Sequence, residues 1–420
     1  MPTSKELIEM AEKYGAHNYH PIDVVISRAE RVWVYDPEGN KYLDCLSAYS
    51  CHNAGHCHPE IVATLKEQAS IVTLTSRAFH NDMMGPFLKM IADVVGPHIN
   101  DPNNSGIMSL PMNSGTEAVS TGIKVVRAWG YIKKKIPKNE AKIIVCRENF
   151  HGRTITIIGF SSDISGGRYY GNFGPFTPGF ITIPYGDAEE LEKTILEIGP
   201  EKVAAFLVEP VQGEAGVKVP PEGYLKKVRD ICTKYNVLMI SDEIQTGFGR
   251  TGEFFACDHE NVKPDMILLG KALGGGVYPV SACVTTKEII GPDVIIPGTH
   301  GSTFGGNPLA AAVGMKSIDI HLRENLAERA KEMGAYFIKR LREIGEKRTK
   351  IPIKEIRGKG LLIAVEFTED ARQIVEELKD NGILVKDTHS TIIRFAPPLV
   401  ITREEIDWAI EVIDKVFVKQ

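Results

Sequence analysis

Seven short apolar runs constrain the fold of this chain more than any other feature of its sequence. They lie at Ile107–Leu110, Lys142–Cys146, Phe180–Ile183, Val203–Val208, Val237–Ile240, Met266–Leu269 and Val280–Val284. They lack the alternation of polar and apolar residues that indicates a half-exposed strand, and are typical of strands buried on both faces. Helical patterns begin to alternate with them, at 59–70, 80–95 and 116–134. The sequence therefore predicts an α/β fold around a mainly parallel sheet.

The two ends of the chain predict a second, smaller α/β domain. The N-terminal patterns indicate a helix at 4–13, strands at Val24–Ile26, Val32–Tyr35 and Tyr42–Leu46, and a hairpin turn at 36–40. The C-terminal patterns indicate helices at 307–323 and 325–346, strands near 353–357, 361–367 and 391–395, and a final helix at 403–417. We expect a large domain (56–324), and an N-terminal segment (1–55) that packs with a small C-terminal domain (325–420).

Composition excludes several classes of protein. The 420 residues are 43% hydrophobic and 25% charged, and the net charge of −5 gives no field that would gather nucleic acid or an acidic membrane. No apolar stretch approaches the ~20 residues that span a bilayer. Seven scattered cysteines and a polar start without a secretory signal indicate a reducing compartment. We expect the cytoplasm, or the mitochondrial matrix if a transit peptide has been removed.

An acid and an amine follow two of the predicted strands. Asp242 follows 237–240 after one serine, and Lys271 follows 266–269 after one glycine. Open parallel sheets bind ligands at the carboxyl ends of their strands, so the two side chains are expected at one edge. A buried lysine can bond covalently to an aldehyde cofactor, and a carboxylate can hold a pyridine nitrogen protonated. A structural ion pair explains these two residues alone equally well.

Further segments add polar groups at the same edge. The turn from Pro111 to Ala118 offers Ser114, Gly115 and Thr116 at a helix start, where backbone amides can hold a phosphate. In isolation this turn is an ordinary helix N-cap. Polar segments also follow two other runs and precede the long helix, at 150–154, 209–216 and 301–308.

Two motifs suggest other functions. Residues 247–252 fit the dinucleotide pattern G-x-G-x-x-G, which would indicate a dehydrogenase, but seven residues separate Ile240 from the first glycine and no helical period follows. Cys51-His52 and His56-Cys57-His58 group five metal-ligand residues, yet their spacing matches none of the usual zinc patterns. We expect no metal.

The clearest resemblance is to a known family. Ser241-Asp242-Glu243-Ile244-Gln245-Thr246-Gly247-Phe248-Gly249-Arg250-Thr251-Gly252, followed by Gly270-Lys271-Ala272-Leu273, resembles the signature of the class III aminotransferases. Four more segments resemble the ornithine aminotransferases of that class, at 14–21, 74–79, 208–217 and 393–399. The resemblance implies the fold type I of pyridoxal-phosphate (PLP)-dependent transferases, as in aspartate aminotransferase, and transfer of the δ-amine of ornithine to 2-oxoglutarate. Other ω-amines (N-acetylornithine, 4-aminobutyrate, lysine) are alternatives.

The resemblance also implies individual roles. Lys271 would carry the cofactor and Asp242 would pair with its pyridine nitrogen. The other implied cofactor contacts are Phe150 on the ring, Gln245 at the phenolic oxygen, and Ser114, Gly115, Thr116, Ser302 and Thr303, with Thr303 lent to the phosphate by the other subunit of a homodimer. The implied substrate contacts are Tyr19 and Arg153 for the α-carboxylate of ornithine, Tyr49 in the pocket wall, and Glu214, which masks Arg394 until 2-oxoglutarate arrives.

Some positions depart from the family pattern. Cys51-His52 replaces small or apolar residues, Ala54 stands where glutamine is expected, and the loops at 100–106 and 163–171 are longer than expected. These differences leave the cofactor chemistry untouched and concern the shape of the entrance.

Overall fold

The computed structural model describes residues 2–161 and 171–419. Its helices are α1 Ser4–Tyr14, α2 Ser47–Ser50, α3 Pro59–Ile71, α4 Met84–Val95, α5 Gly115–Ile132, α6 Ile155–Ile158, α7 Ala188–Ile198, α8 Tyr224–Lys234, α9 Lys287–Ile290, α10 Pro308–Arg323, α11 Leu326–Gly345, α12 Arg372–Asp380 and α13 Arg403–Phe417. Its strands are β1 Arg28–Glu30, β2 Trp33–Tyr35, β3 Lys41–Asp44, β4 Ile107–Met112, β5 Lys142–Cys146, β6 Phe180–Ile183, β7 Val203–Val208, β8 Leu238–Asp242, β9 Met266–Leu269, β10 Ser281–Thr286, β11 Ile353–Lys359, β12 Leu362–Phe367, β13 Ile383–Leu384, β14 Lys386–Thr388 and β15 Ile392–Phe395.

The predicted apolar runs form one sheet of seven strands in the order β4-β10-β9-β8-β7-β5-β6. Strands β6, β5, β7, β8 and β9 are parallel neighbours, whereas β10 is antiparallel to both β9 and β4. Every residue of β7, β8 and β9 is buried. The expectation of an α/β fold with a mainly parallel sheet is confirmed. Because β10 is antiparallel to both of its neighbours, β4 runs in the same direction as β9. The carboxyl ends of β4, β5, β7, β8 and β9 therefore share one edge.

Two smaller sheets are formed by the N-terminal and C-terminal parts of the chain. β11, β12, β15 and β14 form one of them, and β1, β2, β3 and β13 form the other. The second joins the N-terminal hairpin to the C-terminal region, since Leu43 and Asp44 of β3 pair with Ile383 and Leu384 of β13. This pairing supports the division into 1–55, 56–324 and 325–420, which stays a prediction.

One predicted strand is wrong. Residues 24–26 are not paired, and the first strand is Arg28–Glu30. The chain reverses at Arg31, so that Arg28 lies opposite Tyr35, the last residue of β2. Asp36 begins the next turn, which it stabilises by accepting the backbone N–H of Asn40. Val24–Ile26 therefore lies beyond the end of β2, and β propensity alone does not make a strand.

Helix caps place several loops beside the sheet edge. Ser114 and Glu117 form a capping box at the start of α5, and Asn307 caps α10, which begins at Pro308. In residues 2–161 and 171–419, no helix combines the length and the apolar character needed to cross a membrane.

Candidate active site

A cleft of about 640 Å³ opens at the carboxyl edge of the central sheet. Most of its walls come from the segments that follow β4, β5, β7, β8 and β9. They are Gly115, Thr116, Phe150, His151, Gly152, Glu209, Val211, Glu214, Asp242, Ile244, Gln245, Thr246 and Lys271. The structure thus brings together, in one cavity, seven residues that the sequence singled out as candidate site residues: Gly115, Thr116, Phe150, Glu214, Asp242, Gln245 and Lys271. An eighth, Arg394, lies beside Glu214.

The two acids at the end of β8 have different surroundings. Asp242 lines the cleft, where its Oδ2 lies 2.6 Å from His151 Nδ1. Glu243 points away from the cleft and accepts the backbone N–H groups of Ala256 and Cys257, each at 3.0 Å. Alternate residues of a strand face opposite sides, which explains the division. Asp242 is therefore the carboxylate available for chemistry, and Glu243 fixes the following loop.

Lys271 presents its amine to the same cavity from the end of β9. It begins a short helical turn in the left-handed region, with φ of 42°. A non-glycine residue in this region is strained, and such strain persists where the surroundings hold it in place. Burial lowers the pKa of the amine, and the charge of Glu214 opposes this only in part. A lysine with a lowered pKa is a better nucleophile and base at neutral pH.

The start of α5 forms one end of the cleft. The amides of Gly115 and Thr116 belong to the first turn, where a helix has no internal acceptors for its N–H groups. Gly152 approaches this turn so closely that a Cβ on it would lie 2.3 Å from Thr116 Oγ1. Its φ of 127° also favours glycine. Backbone amides and a hydroxyl therefore converge where an anion can bind.

Phe150 and Gln245 line the middle of the cleft. The backbone N–H of Phe150 donates to Glu209 Oε1 at 2.8 Å, which fixes the ring position. Gln245 Oε1 is buried and has no hydrogen-bond partner in the described parts of the chain. A Cβ on Gly213 would lie 1.4 Å from that oxygen, so a larger residue at this position would displace the Gln245 amide. The orphaned oxygen marks a place where a polar ligand atom can bind.

Glu214, Arg394 and Tyr49 form a second polar group in the site. Arg394 Nη1 donates to Glu214 Oε1 at 3.0 Å, and the Arg394 guanidinium carbon lies 4.7 Å from the Tyr49 ring centre. The side chain of Arg394 is 2% exposed, and its Nε and Nη2 have no partner among the described residues. Burial opposes ionisation of Glu214, but the charges of Arg394 and Lys271 outweigh it and lower the pKa of this carboxyl.

Tyr49 lies in an unusual turn. The four residues of α2 all have positive φ, between 45° at Ala48 and 76° at Ser50, with Tyr49 at 60°. Left-handed backbone costs a non-glycine residue roughly 1–2 kcal/mol. The turn is held at its start, where Ser47 Oγ donates to the Ala396 carbonyl at 2.7 Å and Asp44 accepts the Ser47 N–H at 2.9 Å.

Arg153 and Tyr19 lie at the mouth of the cleft. The Arg153 guanidinium carbon is 5.4 Å from the Tyr19 ring centre and 5.7 Å from that of Phe150. Tyr19 is 64% exposed, so this part of the site faces solvent in the single chain.

Three of the predicted cofactor residues do not line the cleft of their own chain. Ser114 is exposed and is engaged as the helix cap with Glu117. Ser302 accepts a hydrogen bond from Asn113 Nδ2 at 3.0 Å, next to that cap. Thr303 is exposed on the same loop. These positions make Thr303 available to another chain and leave its predicted role untested.

Sequence reasoning missed two members of the site, His151 and Glu209. His151 is buried behind Asp242, and burial works against its protonation. The hydrogen bond and charge of Asp242 outweigh burial and raise the pKa of the imidazole. Burial raises the pKa of Glu209 to about 7. Both residues stand in segments that the sequence singled out, and their closeness to Asp242 follows from the order of β5, β7 and β8 in the sheet.

The two alternative motifs have structural explanations. Gly249 and Gly252 pack against α11, where a Cβ on Gly249 would lie 2.9 Å from the Ala327 backbone. In the Cys/His cluster, His56 pairs with Asp44 at 2.7 Å and His58 with Glu324 at 3.2 Å. No set of three or more side chains suited to hold a metal occurs in residues 2–161 and 171–419.

The departures from the family pattern lie in different places. The loop at 100–106 precedes β4 and therefore lies at the sheet edge opposite the cleft, so it does not shape the entrance. The loop at 163–171 falls almost entirely outside the described residues. Cys51 is half-buried, and burial raises the pKa of its thiol while the charges of Lys271 and Arg250 oppose the rise. Of these departures, Cys51 is therefore one that lies beside the site.

The fold and the cleft define a PLP-dependent transferase of fold type I, and the chain belongs to the class III aminotransferases, whose family model matches residues 14–417. A relative named ornithine aminotransferase, from Brevibacillus brevis, is 55% identical over 99% of both chains. An ornithine aminotransferase structure from Toxoplasma gondii, with PLP at partial occupancy, is 46% identical (TM-score 0.92, 99% of this chain, 94% of that one). An acetylornithine aminotransferase structure from Elizabethkingia anophelis is 47% identical (TM-score 0.87, 99% of both). The dehydrogenase alternative is wrong.

The cleft fits PLP, on which this family depends. The buried amine of Lys271 matches the aldehyde of the cofactor, and the buried Asp242 matches its ring nitrogen. The orphaned Gln245 Oε1 matches the phenolic O–H. The first turn of α5 matches the phosphate. Each polar part of the cofactor therefore has a protein group of complementary chemistry in the cleft.

Proposed function

We propose that this protein transfers the δ-amino group of L-ornithine to 2-oxoglutarate, giving glutamate 5-semialdehyde and glutamate. The observation that carries the proposal is the incomplete hydrogen bonding of Arg394. Its Nη1 donates to Glu214, while Nε and Nη2 are buried without partners among the described residues. Buried donors without acceptors are costly, so this guanidinium favours an incoming carboxylate. A site with a masked arginine suits one substrate that must avoid it and another that must use it.

The first substrate carries one carboxylate, far from the amine that reacts. We propose that Arg153 and Tyr19 hold the α-carboxylate and so direct the δ-amine to the cofactor at Lys271. Their location at the mouth of the cleft, beside Phe150, supports this role. Glu214 supports it too, because its pairing neutralises the arginine that would attract the α-carboxylate inward.

The second substrate carries two carboxylates. We propose that 2-oxoglutarate displaces Glu214 from Arg394 with its α-carboxylate and binds Arg153 with its distal one. The unpartnered Nε and Nη2 of Arg394 allow such a two-point contact. The remaining chemistry uses few protein groups. PLP would supply an electron sink when bound, Asp242 would keep its ring nitrogen protonated, and the Lys271 amine would take up and release the proton of the substrate carbon.

Comparison of four amines tests the proposal. Single-turnover rates with ornithine, N-acetylornithine, 4-aminobutyrate and lysine, each followed by 2-oxoglutarate, should favour ornithine. The likeness to an acetylornithine aminotransferase makes N-acetylornithine the second candidate. A higher rate constant over Kd for any of the other three amines would replace the proposed donor.

We also propose that the protein forms a homodimer in which each subunit contributes to the site of the other. We further propose that it is located in the cytoplasm. The exposed Phe79 (73%) and Phe304 (50%), the latter next to Thr303, support a partner subunit there. Seven free cysteines support a reducing compartment, which cell fractionation can check.

Hybrid dimers test the shared site. Thr303→Asp should repel the phosphate of the other subunit, and Lys271→Ala removes the amine from its own site. A hybrid of the two variants contains one intact site, so mixing the two weakly active proteins should restore activity. A monomer with full activity, measured by light scattering and assay at one concentration, would disprove the shared site.

A further inference from the structure

Arg250 is a buried cation whose guanidinium donates to uncharged acceptors. Its side chain is fully buried, and it forms no ion pair within residues 2–161 and 171–419. Nη1 donates to the carbonyls of Leu361 at 2.9 Å and Pro397 at 2.6 Å, and Nη2 donates to Asn53 Oδ1 at 2.7 Å. Burial lowers the pKa of this guanidinium to about 9. Keeping a charge in such a place is costly, so its location calls for an explanation.

The three acceptors belong to the segments that hold Tyr49 and Arg394. Leu361 directly precedes β12, and Pro397 follows β15, the strand that contains Arg394. The two strands are antiparallel neighbours, with Ile363 opposite Phe395, so both acceptors lie at the same end of the pair. Arg250 therefore anchors the strand end next to Arg394.

Asn53 connects the same guanidinium to the left-handed turn of Tyr49. Asn53 lies four residues after Tyr49, and its own carbonyl accepts the Leu399 N–H at 2.8 Å. Its Nδ2 donates to the Phe248 carbonyl at 3.1 Å. The Tyr49 turn and the segment after β15 are thus tied to each other and to the loop of Arg250.

That loop is rigidly attached to the cofactor half of the site. Arg250 follows Gln245 by five residues in the connection that begins at Asp242. Gly249 and Gly252 flank it and pack tightly on α11, where a Cβ on Gly252 would lie 3.2 Å from Lys331 Cα. The guanidinium has little freedom to follow a displaced acceptor, so it transmits the position of the cofactor half to its three acceptors.

We propose that Arg250 is a positioning residue for the oxoacid half-reaction, because it sets the location of Arg394 and Tyr49 relative to the cofactor half of the cleft. The inference rests on the proposed function. Arginine suits this role better than lysine, since its planar fork can donate to several acceptors at fixed angles whereas an ammonium is a point charge. Ornithine is held at the mouth by Arg153 and Tyr19, so its half-reaction depends less on Arg250.

Arg250→Lys in the holoenzyme tests the inference. This variant keeps the charge and loses the forked geometry. We expect the rate constant over Kd for 2-oxoglutarate to fall about 10- to 100-fold in single-turnover experiments, as expected when two buried hydrogen bonds are lost. The ornithine half-reaction should change less than about threefold, because its carboxylate contacts are separate. A purely structural role would lower the thermal midpoint and the active fraction, and both half-reactions equally.

A matched control is Lys134→Met. Lys134 is another partly buried cation that donates to three backbone carbonyls, of Val203, Tyr235 and Asn236, but none of them is in the cleft. Its loss should lower the thermal midpoint without separating the two half-reactions. If Arg250→Lys does not fold, Asn53→Ala removes one of the three acceptors and should separate the two half-reactions in the same direction but by less, about three- to tenfold.

The outcomes distinguish this inference from the proposed function. Equal losses in both half-reactions for Arg250→Lys and Asn53→Ala, or an unchanged oxoacid half-reaction, would overturn the inference. If the wild-type protein prefers another amine to ornithine, the proposed function fails. The separation between the amine and oxoacid halves would then be measured with that amine, and the inference would stand or fall on the same ratio.

Discussion

The cofactor half and the carboxylate half of the cleft are built in different ways. The cofactor half consists of Asp242, Lys271, Phe150 and the first turn of α5, all of which lie at or after the carboxyl ends of strands in one sheet. The carboxylate half combines Tyr49 from a strained turn, Glu214 from a loop after β7, and Arg394 from a separate sheet. Three distant segments must therefore meet before the carboxylate half exists.

The carboxylates of the cofactor half and the arginine of the carboxylate half also differ in how they are paired. Asp242 is held by His151 and by the Ile244 N–H, and Glu209 is held by the Phe150 N–H. Arg394, by contrast, uses one of its nitrogens and leaves two unpartnered in the described chain. Fixed partners suit chemistry that is the same for every substrate. Exchangeable partners suit a site that must distinguish two substrates.

The largest effect expected from this difference is loss of both half-reactions together. Lys271→Ala removes the amine that we propose bonds to the cofactor and carries the proton, so both rates should fall by at least about 10³-fold. Borohydride should fix the cofactor on the wild-type Lys271 and not on the variant, which should still bind it through the other cleft residues. Single-turnover absorbance measurements give the rates of both half-reactions. A variant rate within tenfold of wild type in either half-reaction would contradict the proposed role of Lys271.

A change in the carboxylate half should affect one half-reaction and spare the other. Arg394→Ala removes the proposed contact for the α-carboxylate of 2-oxoglutarate, and we expect about 100-fold weaker binding of the oxoacid. The first step with ornithine should stay within about fivefold, because we propose that its carboxylate binds Arg153 and Tyr19 instead. Titration of the amino form of the enzyme with 2-oxoglutarate measures this. Equal losses with both substrates would mean that the cleft does not divide in this way.

Glu214→Ala should have the opposite effect on specificity. It exposes the charge of Arg394, so glutamate should react faster and ornithine should increasingly present its α-amine. We expect the preference for the δ-amine to fall about tenfold, which corresponds to about 1.4 kcal/mol. This is less than the several kcal/mol that breaking a fully buried pair costs, because the Glu214 side chain is 24% exposed. Product analysis for glutamate 5-semialdehyde against the α-oxo acid decides it. An unchanged product ratio would assign the pair a structural role only.

The two halves differ in how well the sequence predicts them. Asp242 and Lys271 could be placed together because parallel neighbouring strands bring their carboxyl ends to one edge. The contacts of Arg250 with Leu361 and Pro397 could not, since they join residues more than a hundred positions apart and depend on how the small sheet packs. The left-handed turn at Tyr49 has no glycine to announce it, and tertiary contacts overrule its local preference.

Local signals explain the remaining successes and misses of the fold prediction. Buried runs such as 203–208 identify their strands directly, because apolar residues on both faces leave no other environment. Three amphipathic helices, α7, α8 and α12, were not predicted, although Asp187 caps the first of them. Strand 24–26 was predicted from propensity and failed for lack of a partner. Strands are predicted correctly where burial on both faces determines the sequence, as at 203–208. The prediction fails where a strand depends on a neighbouring strand for pairing, as at 24–26.

The smallest expected effect concerns stability within the cofactor half. Burial raises the pKa of Glu209 from its ordinary value of 4.5 to about 7, with the charge of His151 opposing. The folded protein therefore binds this proton more tightly than the unfolded chain, and the resulting stabilisation is fully present below pH 4.5 and lost as the pH rises through 7. Glu209→Gln keeps an oxygen for the Phe150 N–H and cannot ionise. Activity should stay within about threefold, whereas stability relative to wild type should rise by about 1–3 kcal/mol between pH 5 and 8.

Glu9→Gln, on the exposed face of α1, is the control and should follow the wild-type pH profile. Thermal or urea unfolding of the holoenzymes across this range measures the difference. Parallel curves for wild type and Glu209→Gln would mean that Glu209 is already ionised at pH 5, and that the cofactor half holds its charges without this stored cost.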